Sequence, residues 1–156
     1  MINVDIPGYG HLSLEVLLMD YNGTLALDGI MPIHIKEKIT ALAELLEIHI
    51  ITSDTFSSVA VQCQGLPVQI KVLKTNNHTQ EKADYLNQFD HNKVAAIGNG
   101  ANDRLMLEKA NLGIVVLGGE GCSSKTLMSA DVIVKDIQDA LELLITSQRL
   151  IATLRR

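Results

Sequence analysis

Apolar and polar residues alternate through Ile2, Val4 and Ile6, break at Pro7-Gly8-Tyr9-Gly10, and alternate again through Leu12, Leu14 and Val16. A period of two on either side of a glycine-rich turn predicts a β-hairpin at the start of the chain. The unbroken apolar run Val16-Leu17-Leu18-Met19 that follows suits a strand buried on both faces of a parallel sheet, and it stops at Asp20. After the turn residues Asn22, Gly23, Asp28, Gly29 and Pro32, the apolar positions Ile35, Ile39, Leu42, Leu45 and Leu46 recur at helical spacing. Further strands are expected at Glu47 to Thr52, Val68 to Leu73, Val94 to Ile97 and Leu112 to Leu117, with a short one at Val132 to Val134. Helices are expected at Gln80 to Gln88, Asp103 to Ala110 and Ile137 to Ile145, where Ile137, Leu141, Leu144 and Ile145 share one face. This alternation implies an α/β fold, a mostly parallel sheet covered on both sides, with ligands bound at the carboxyl ends of its strands.

Composition narrows the class without changing that architecture. A chain of 156 residues, 47% apolar, is expected to form a single domain over residues 1–156. Cys63 and Cys122 form no CxxC, and the segment Met1 to Asp5 is acidic where a signal peptide is basic, so a reducing cytoplasm is the expected location. No apolar run approaches the ~18–20 residues that span a bilayer, and a formal net charge of −5 offers no field for a phosphate backbone. Membrane and nucleic acid are therefore not the expected partners. Arg149, Arg155 and Arg156 read as cations complementing the dipole at the end of the last helix.

The polar residues that follow the apolar runs form a chemical set. They are Asp20-Tyr21-Asn22-Gly23-Thr24-Leu25 after the first buried strand, Thr52-Ser53-Asp54 after the second, and Gly98-Asn99-Gly100-Ala101-Asn102-Asp103 after the fourth. Lys82 lies in the helix leading into that fourth strand, with Lys71 and Lys74 as competing lysines nearby. A carboxylate nucleophile, a hydroxyl, a lysine and a second carboxylate suit phosphoryl transfer through an aspartyl intermediate. A phosphate dianion repels a carboxylate, so Mg²⁺ held by Asp20 and Asp103 is expected between them. Thr52 and backbone N–H groups near Asn22 and Gly23 would bond the phosphoryl oxygens, and Lys82 would neutralise their charge.

The strand followed by D-x-x-G-T-L, the strand ending in T-S-D, the lysine and the G-x-G-x-N-D loop resemble the four motifs of the haloacid dehalogenase (HAD) superfamily. The resemblance runs from about Leu17 to Asp136. Within it, Thr52-Ser53-Asp54, Gly98 to Asp103 and Ala130-Asp131-Val132-Ile133-Val134 are similar to the phosphorylation domain of P-type ATPases. The resemblance implies a three-layer Rossmann-like fold. It implies Asp20 as phospho-accepting nucleophile, Thr52 as the second-motif hydroxyl and Lys82 as the third-motif lysine. Asn22, Gly23, Ser53 and Asn102 would contact substrate. The Mg²⁺ ligands would be Asp20, the Asn22 backbone carbonyl, Asn99 and Asp103.

Two positions depart from the family pattern. Asn22 stands where most HAD phosphatases carry a second aspartate as acid and base, a function worth ~10²–10⁴-fold in rate, so slow turnover is expected. Asn99 replaces a metal-binding aspartate, which predicts weaker Mg²⁺ binding; with less charge nearby, Asp20 is expected to stay readily ionised. Only 27 residues separate Thr24 from Thr52, and 27 separate Asp54 from Lys82, so no cap domain fits. The expected substrate is then a phosphorylated small molecule or an exposed phosphate on a larger one, with a homo-oligomer covering the open rim. The alternatives are a metal-independent dehalogenase-type hydrolase and a phosphate-binding or interaction module with weakened catalysis. Asp54 and Asn102 read as helix caps or loop supports rather than as groups that perform chemistry.

Overall fold

A computed structural model describes residues 1–156, with the side chain of Phe56 outside the described residues. Strands β1 (Ile2–Ile6) and β2 (Gly10–Leu14) pair antiparallel as the expected hairpin, Ile2 opposite Leu14 and Ile6 opposite Gly10. Strand β3 (Val16–Asp20) begins the main sheet, followed by α1 (Ile33–Ala43), β4 (Glu47–Thr52), α2 (Phe56–Gln62), β5 (Gln69–Val72) and α3 (His78–Leu86). The second half runs β6 (Val94–Gly98), α4 (Arg104–Lys109), β7 (Leu112–Val116), α5 (Ser124–Leu127), β8 (Val132–Val134), α6 (Ile137–Ile145) and α7 (Ser147–Leu154).

The six strands of the main sheet lie in the order β5-β4-β3-β6-β7-β8, and all neighbours are parallel. The chain moves outward from β3 on one side and returns to the other side with β6. The order therefore reverses between β3 and β6, which opens a crevice beyond their carboxyl ends. Asp20 closes β3, Thr52 closes the adjacent β4, and Gly98 closes the adjacent β6. Residues 21–32 join β3 to α1 without a cap domain, as expected.

Alternate strand positions feed two separate cores, the signature of a sheet covered on both faces. Leu17 and Met19 of β3, Ala95 and Ile97 of β6, and Leu112, Ile114 and Val116 of β7 join Ile35, Ile39 and Leu42 of α1 and Leu141 and Leu144 of α6. Leu18, Ala96 and Val115 face the other way, onto Leu86 of α3 and Met106 and Leu107 of α4. The hairpin packs into the first core, where α7 rests on β1.

Three helices lie beyond the hydrophobic pattern. The α2 segment is rich in serine and valine, weak helix formers, and tertiary contacts hold it: Val59 is buried, and the Gln62 Oε1 accepts the Met31 N–H at 3.2 Å. Helix α5 is a single turn. Thr146, at φ −112° and ψ 79°, ends α6, and the chain restarts as α7, so Arg149 sits early in a helix and not at the end of the last one. Arg156 likewise serves no helix end. Its backbone N–H donates to Pro7 at 2.9 Å and its guanidinium lies 5.7 Å from the Tyr9 ring centre, which fastens the C-terminal segment to the hairpin turn.

Leu141 is fully buried between α6 and the sheet. Leu141→Ala is expected to cost about 2–5 kcal/mol in urea unfolding, through lost burial and the cavity left behind; a loss below 1 kcal/mol would show that the helix is not seated on this face.

Candidate active site

Three neighbouring strand ends and one helix deliver the predicted residues to a single place. The centre is the Lys82 ammonium, carried by α3 and 1% exposed. Its Nζ donates to Asp20 Oδ1 at 2.6 Å and to Asp103 Oδ1 at 2.6 Å, with Asn102 Oδ1 at 3.3 Å. The competing lysines lie elsewhere: Lys71 sits 3.8 Å from Glu81 and over the Tyr85 ring, and the Lys74 backbone N–H donates to Glu81.

Asp103 is fully buried, and its second oxygen accepts the backbone N–H groups of Asn99 at 3.0 Å and Gly100 at 2.9 Å. This wraps the loop after β6 around one carboxylate. A Cβ on Gly98 would lie 2.5 Å from Asp103 Cγ, so only glycine lets the strand end approach so closely. Thr126 Oγ1 donates to the Gly100 carbonyl at 2.8 Å and braces the loop from α5.

Thr24 belongs to the motif after β3, and the structure adds it to the candidate site although its residue type alone carries no role there. Its buried hydroxyl lies 3.2 Å from Asp20 Oδ2 and 3.2 Å from Asn99 Oδ1, linking the loop after β3 to the loop after β6. A hydroxyl four residues after a strand-end aspartate was the available signal. Asn99 is held from both ends: its Nδ2 donates to the Gly121 carbonyl at 3.0 Å and its own carbonyl accepts the Ser123 N–H at 2.9 Å. Asn22 donates through Nδ2 to Asp54 Oδ2 at 2.9 Å. Both asparagines thus use an N–H that aspartate lacks.

The Thr52 Oγ1 accepts the Asp54 N–H at 3.0 Å, which leaves the hydroxyl proton free to be donated into the crevice. Asn102 reaches the network only through Lys82, and the exposed Ser53 makes no side-chain hydrogen bond among the described residues. Gly23 differs from expectation as well. Its N–H donates to the Ala26 carbonyl at 2.9 Å, so it is spent within the loop and is not offered to a phosphoryl group. Gly23 adopts φ +74°, and a Cβ there would lie 2.7 Å from both Glu120 Oε2 and Asn99 Nδ2. The Gly118-Gly119-Glu120-Gly121 loop therefore closes over the loop after β3, a proximity with no signal in the sequence.

Burial pushes the Asp20 carboxyl up to about 7, and the Asp103 carboxylate adds to the rise, while Lys82 and Thr24 oppose it. The expectation of a readily ionised Asp20 neglected this loss of solvent. Burial alone would lower Lys82, but Asp103 and Asp20 outweigh it and hold the ammonium charged.

The donor set fits a hard divalent cation in type, with restricted charge. Asp103 is fully buried and accepts three hydrogen bonds, from Lys82 and two backbone N–H groups, whereas each oxygen of Asp20 and Asn99 Oδ1 accepts one, so the carboxylate expected as a ligand is the most committed of the set and braces the loop. That leaves Asp20, Asn99 Oδ1 and the Asn22 carbonyl, which accepts no hydrogen bond among the described residues. These are oxygen donors of the kind Mg²⁺ takes, carrying one carboxylate among them.

The Asp20 shift gives a sign that can be checked. Because Asp20 holds its proton more tightly in the fold, at about 7 against an ordinary 3.8, the stability it contributes is present below 3.8 and lost as pH rises through 7. Asp20→Asn is therefore expected to gain stability relative to the native chain between pH 4 and 8 in urea unfolding without divalent cations. A constant or falling difference would contradict the buried carboxyl.

No protein-family model matches the chain. The uncharacterized protein MJ0073 of Methanocaldococcus jannaschii is 59% identical over 63 residues, which cover 40% of this chain and 68% of that protein. Among solved structures, 3-deoxy-D-manno-octulosonate 8-phosphate phosphatase from Moraxella catarrhalis, in complex with magnesium ion, phosphate ion and KDO, matches with a TM-score of 0.72. That likeness is at 18% identity and covers 91% of this chain and 94% of the phosphatase. A HAD superfamily (subfamily III A) hydrolase from Legionella pneumophila matches with a TM-score of 0.64 at 16% identity, over 90% of this chain and 87% of the hydrolase. The chain belongs to the same protein family as MJ0073 and carries the fold of the haloacid dehalogenase superfamily phosphatases.

Proposed function

We propose that this chain is a phosphohydrolase that works through a phosphoenzyme on Asp20. The single observation that carries the reading is the Lys82 ammonium set between Asp20 and Asp103 at the reversal of strand order, with Thr52 closing the strand next to that of Asp20. Asp20 attacks phosphorus, the bond to the leaving oxygen breaks, and that oxygen takes a proton from solvent. Water then attacks the aspartyl phosphate, inorganic phosphate departs, and the electron pair of the broken bond returns to the carboxylate. Lys82 offsets charge on the phosphoryl oxygens, and Thr52 donates to one of them. Asp103 acts from behind, holding Lys82 and the loop after β6 in place.

Mg²⁺ is the cofactor in this reading, held by Asp20, Asn99 and the Asn22 carbonyl; it would reduce repulsion between the anionic nucleophile and an anionic ester. Asn22 supplies no proton transfer, so turnover is slow. The open rim admits a phosphorylated small molecule or a phosphate exposed on a larger one; the Moraxella phosphatase, bound to magnesium, phosphate and KDO, is an example of the first kind. Leu27, Ile30 and Ile33 beside this rim are 52%, 65% and 70% exposed, which supports covering by a second copy of the chain in a cytoplasmic homo-oligomer. Among the described residues, no helix is long and apolar enough to cross a membrane.

Phosphate release from p-nitrophenyl phosphate with added MgCl₂ is the first test. It is expected to fall to background in Asp20→Asn and to be lost with EDTA and restored by excess Mg²⁺. Thr52→Val is expected to lower kcat about 10²- to 10³-fold, the scale of one donor to a developing anion. Activity retained by Asp20→Asn would overturn the reading. Halide release without metal would favour a dehalogenase, and phosphate binding without turnover a sensing module.

A further inference from the structure

Most of the reaction is accounted for above, but the water that attacks the phosphoenzyme has no base, because Asn22 cannot take a proton. The side chain in direct contact with Asn22 is a carboxylate. Asp54 Oδ2 accepts from Asn22 Nδ2 at 2.9 Å, and the Asp54 backbone N–H donates to Thr52 Oγ1 at 3.0 Å. Asp54 thus joins the two strand-end loops that flank Asp20: β3 and β4 are neighbours, and the Tyr21 N–H donates to the Ile51 carbonyl at 3.2 Å. Its other oxygen, Oδ1, accepts no hydrogen bond among the described residues, and the residue is exposed to water.

We propose that Asp54 is the general base for hydrolysis of the phosphoenzyme, doing from the loop after β4 what the side chain at position 22 cannot do. The inference rests on the reading of Asp20 as nucleophile. In the step, a water oxygen bonds to phosphorus, and the bond from phosphorus to the Asp20 oxygen breaks, returning its electron pair to Asp20. The water proton passes to Asp54 Oδ1 and from there to solvent. Asn22 has a positioning role here: its amide fixes Oδ2 and so leaves Oδ1 as the accepting atom. The contact also explains why an amide suits position 22, since a carboxylate there would face that of Asp54.

The test is the decay of the phosphoenzyme formed from radiolabelled acetyl phosphate with MgCl₂, quenched in acid and located on Asp20 by mass spectrometry. Asp54→Asn keeps an acceptor for the Asn22 amide and removes only the base, so the label is expected to decay at least about tenfold more slowly, within the usual worth of a general base. The double variant Asn22→Asp with Asp54→Asn, which moves the carboxylate across the hydrogen bond, is expected to decay near the native rate. A native rate in Asp54→Asn alone would overturn the proposal, because a purely structural role survives that change; a double variant as slow as Asp54→Asn would do the same. A native chain that never acquires label on Asp20 would overturn the nucleophile reading and this base with it. Label that forms and decays without regard to position 54 would sink only the base.

Discussion

One ammonium group between two carboxylates ties the candidate site to the architecture around it. Lys82, Asp20 and Asp103 come from α3, the end of β3 and the loop after β6, and all are buried. Each charge is costly to bury alone, and removing one partner of a buried pair generally costs about 3–5 kcal/mol. Lys82 and Asp103 are therefore tolerable only together, with Asp20 beside them at a raised pKa, and the pair fixes α3 against the carboxyl edge of the sheet. The same edge is where the strand order reverses, so the demands of folding and those of the proposed nucleophile fall on the same atoms.

The two asparagines give the site a different electrostatic balance from one built with aspartates. Each donates through its amide nitrogen, Asn22 to Asp54 and Asn99 to the Gly121 carbonyl, and neither donation is open to an ionised carboxylate. They are therefore built into their loops. Removing two negative charges still leaves Asp20 reluctant to ionise, because it lies in a dry place beside Asp103. Loss of solvent outweighs the lighter charge load, as desolvation commonly does for buried carboxyl groups.

Much of the fold was legible because buried parallel strands write themselves as unbroken apolar runs, and those of β3, β4, β6 and β7 fall close to where the pattern places them. The strand-end polar residues were legible for the same reason, since a run must stop where the crevice begins. Helix α2 was not, because its serines and valines carry no helical preference and neighbouring elements impose its shape. Within the site, residue types pointed to Asp20, Thr52 and Lys82, which the fold carries to adjoining strand ends and a helix beside them, whereas the use of each oxygen was beyond reach. Nothing in the sequence says that both oxygens of Asp103 are consumed, that the Gly23 N–H turns inward to Ala26, or that Glu120 lies against Gly23.

The placement of Asn99 ties two segments into one mechanical unit. Its side chain grips Gly121 and Thr24 while its backbone grips Ser123 and Asp103. Glu120, which stands over Gly23 in the turn between Gly118 and Gly121, is consequently leashed to the floor beneath it. On the proposed reading of Asp20 as nucleophile, a group that displaced this turn would pull on the same amide that Thr24 links to Asp20, so the fit at the mouth and the alignment of that carboxylate would be geared together.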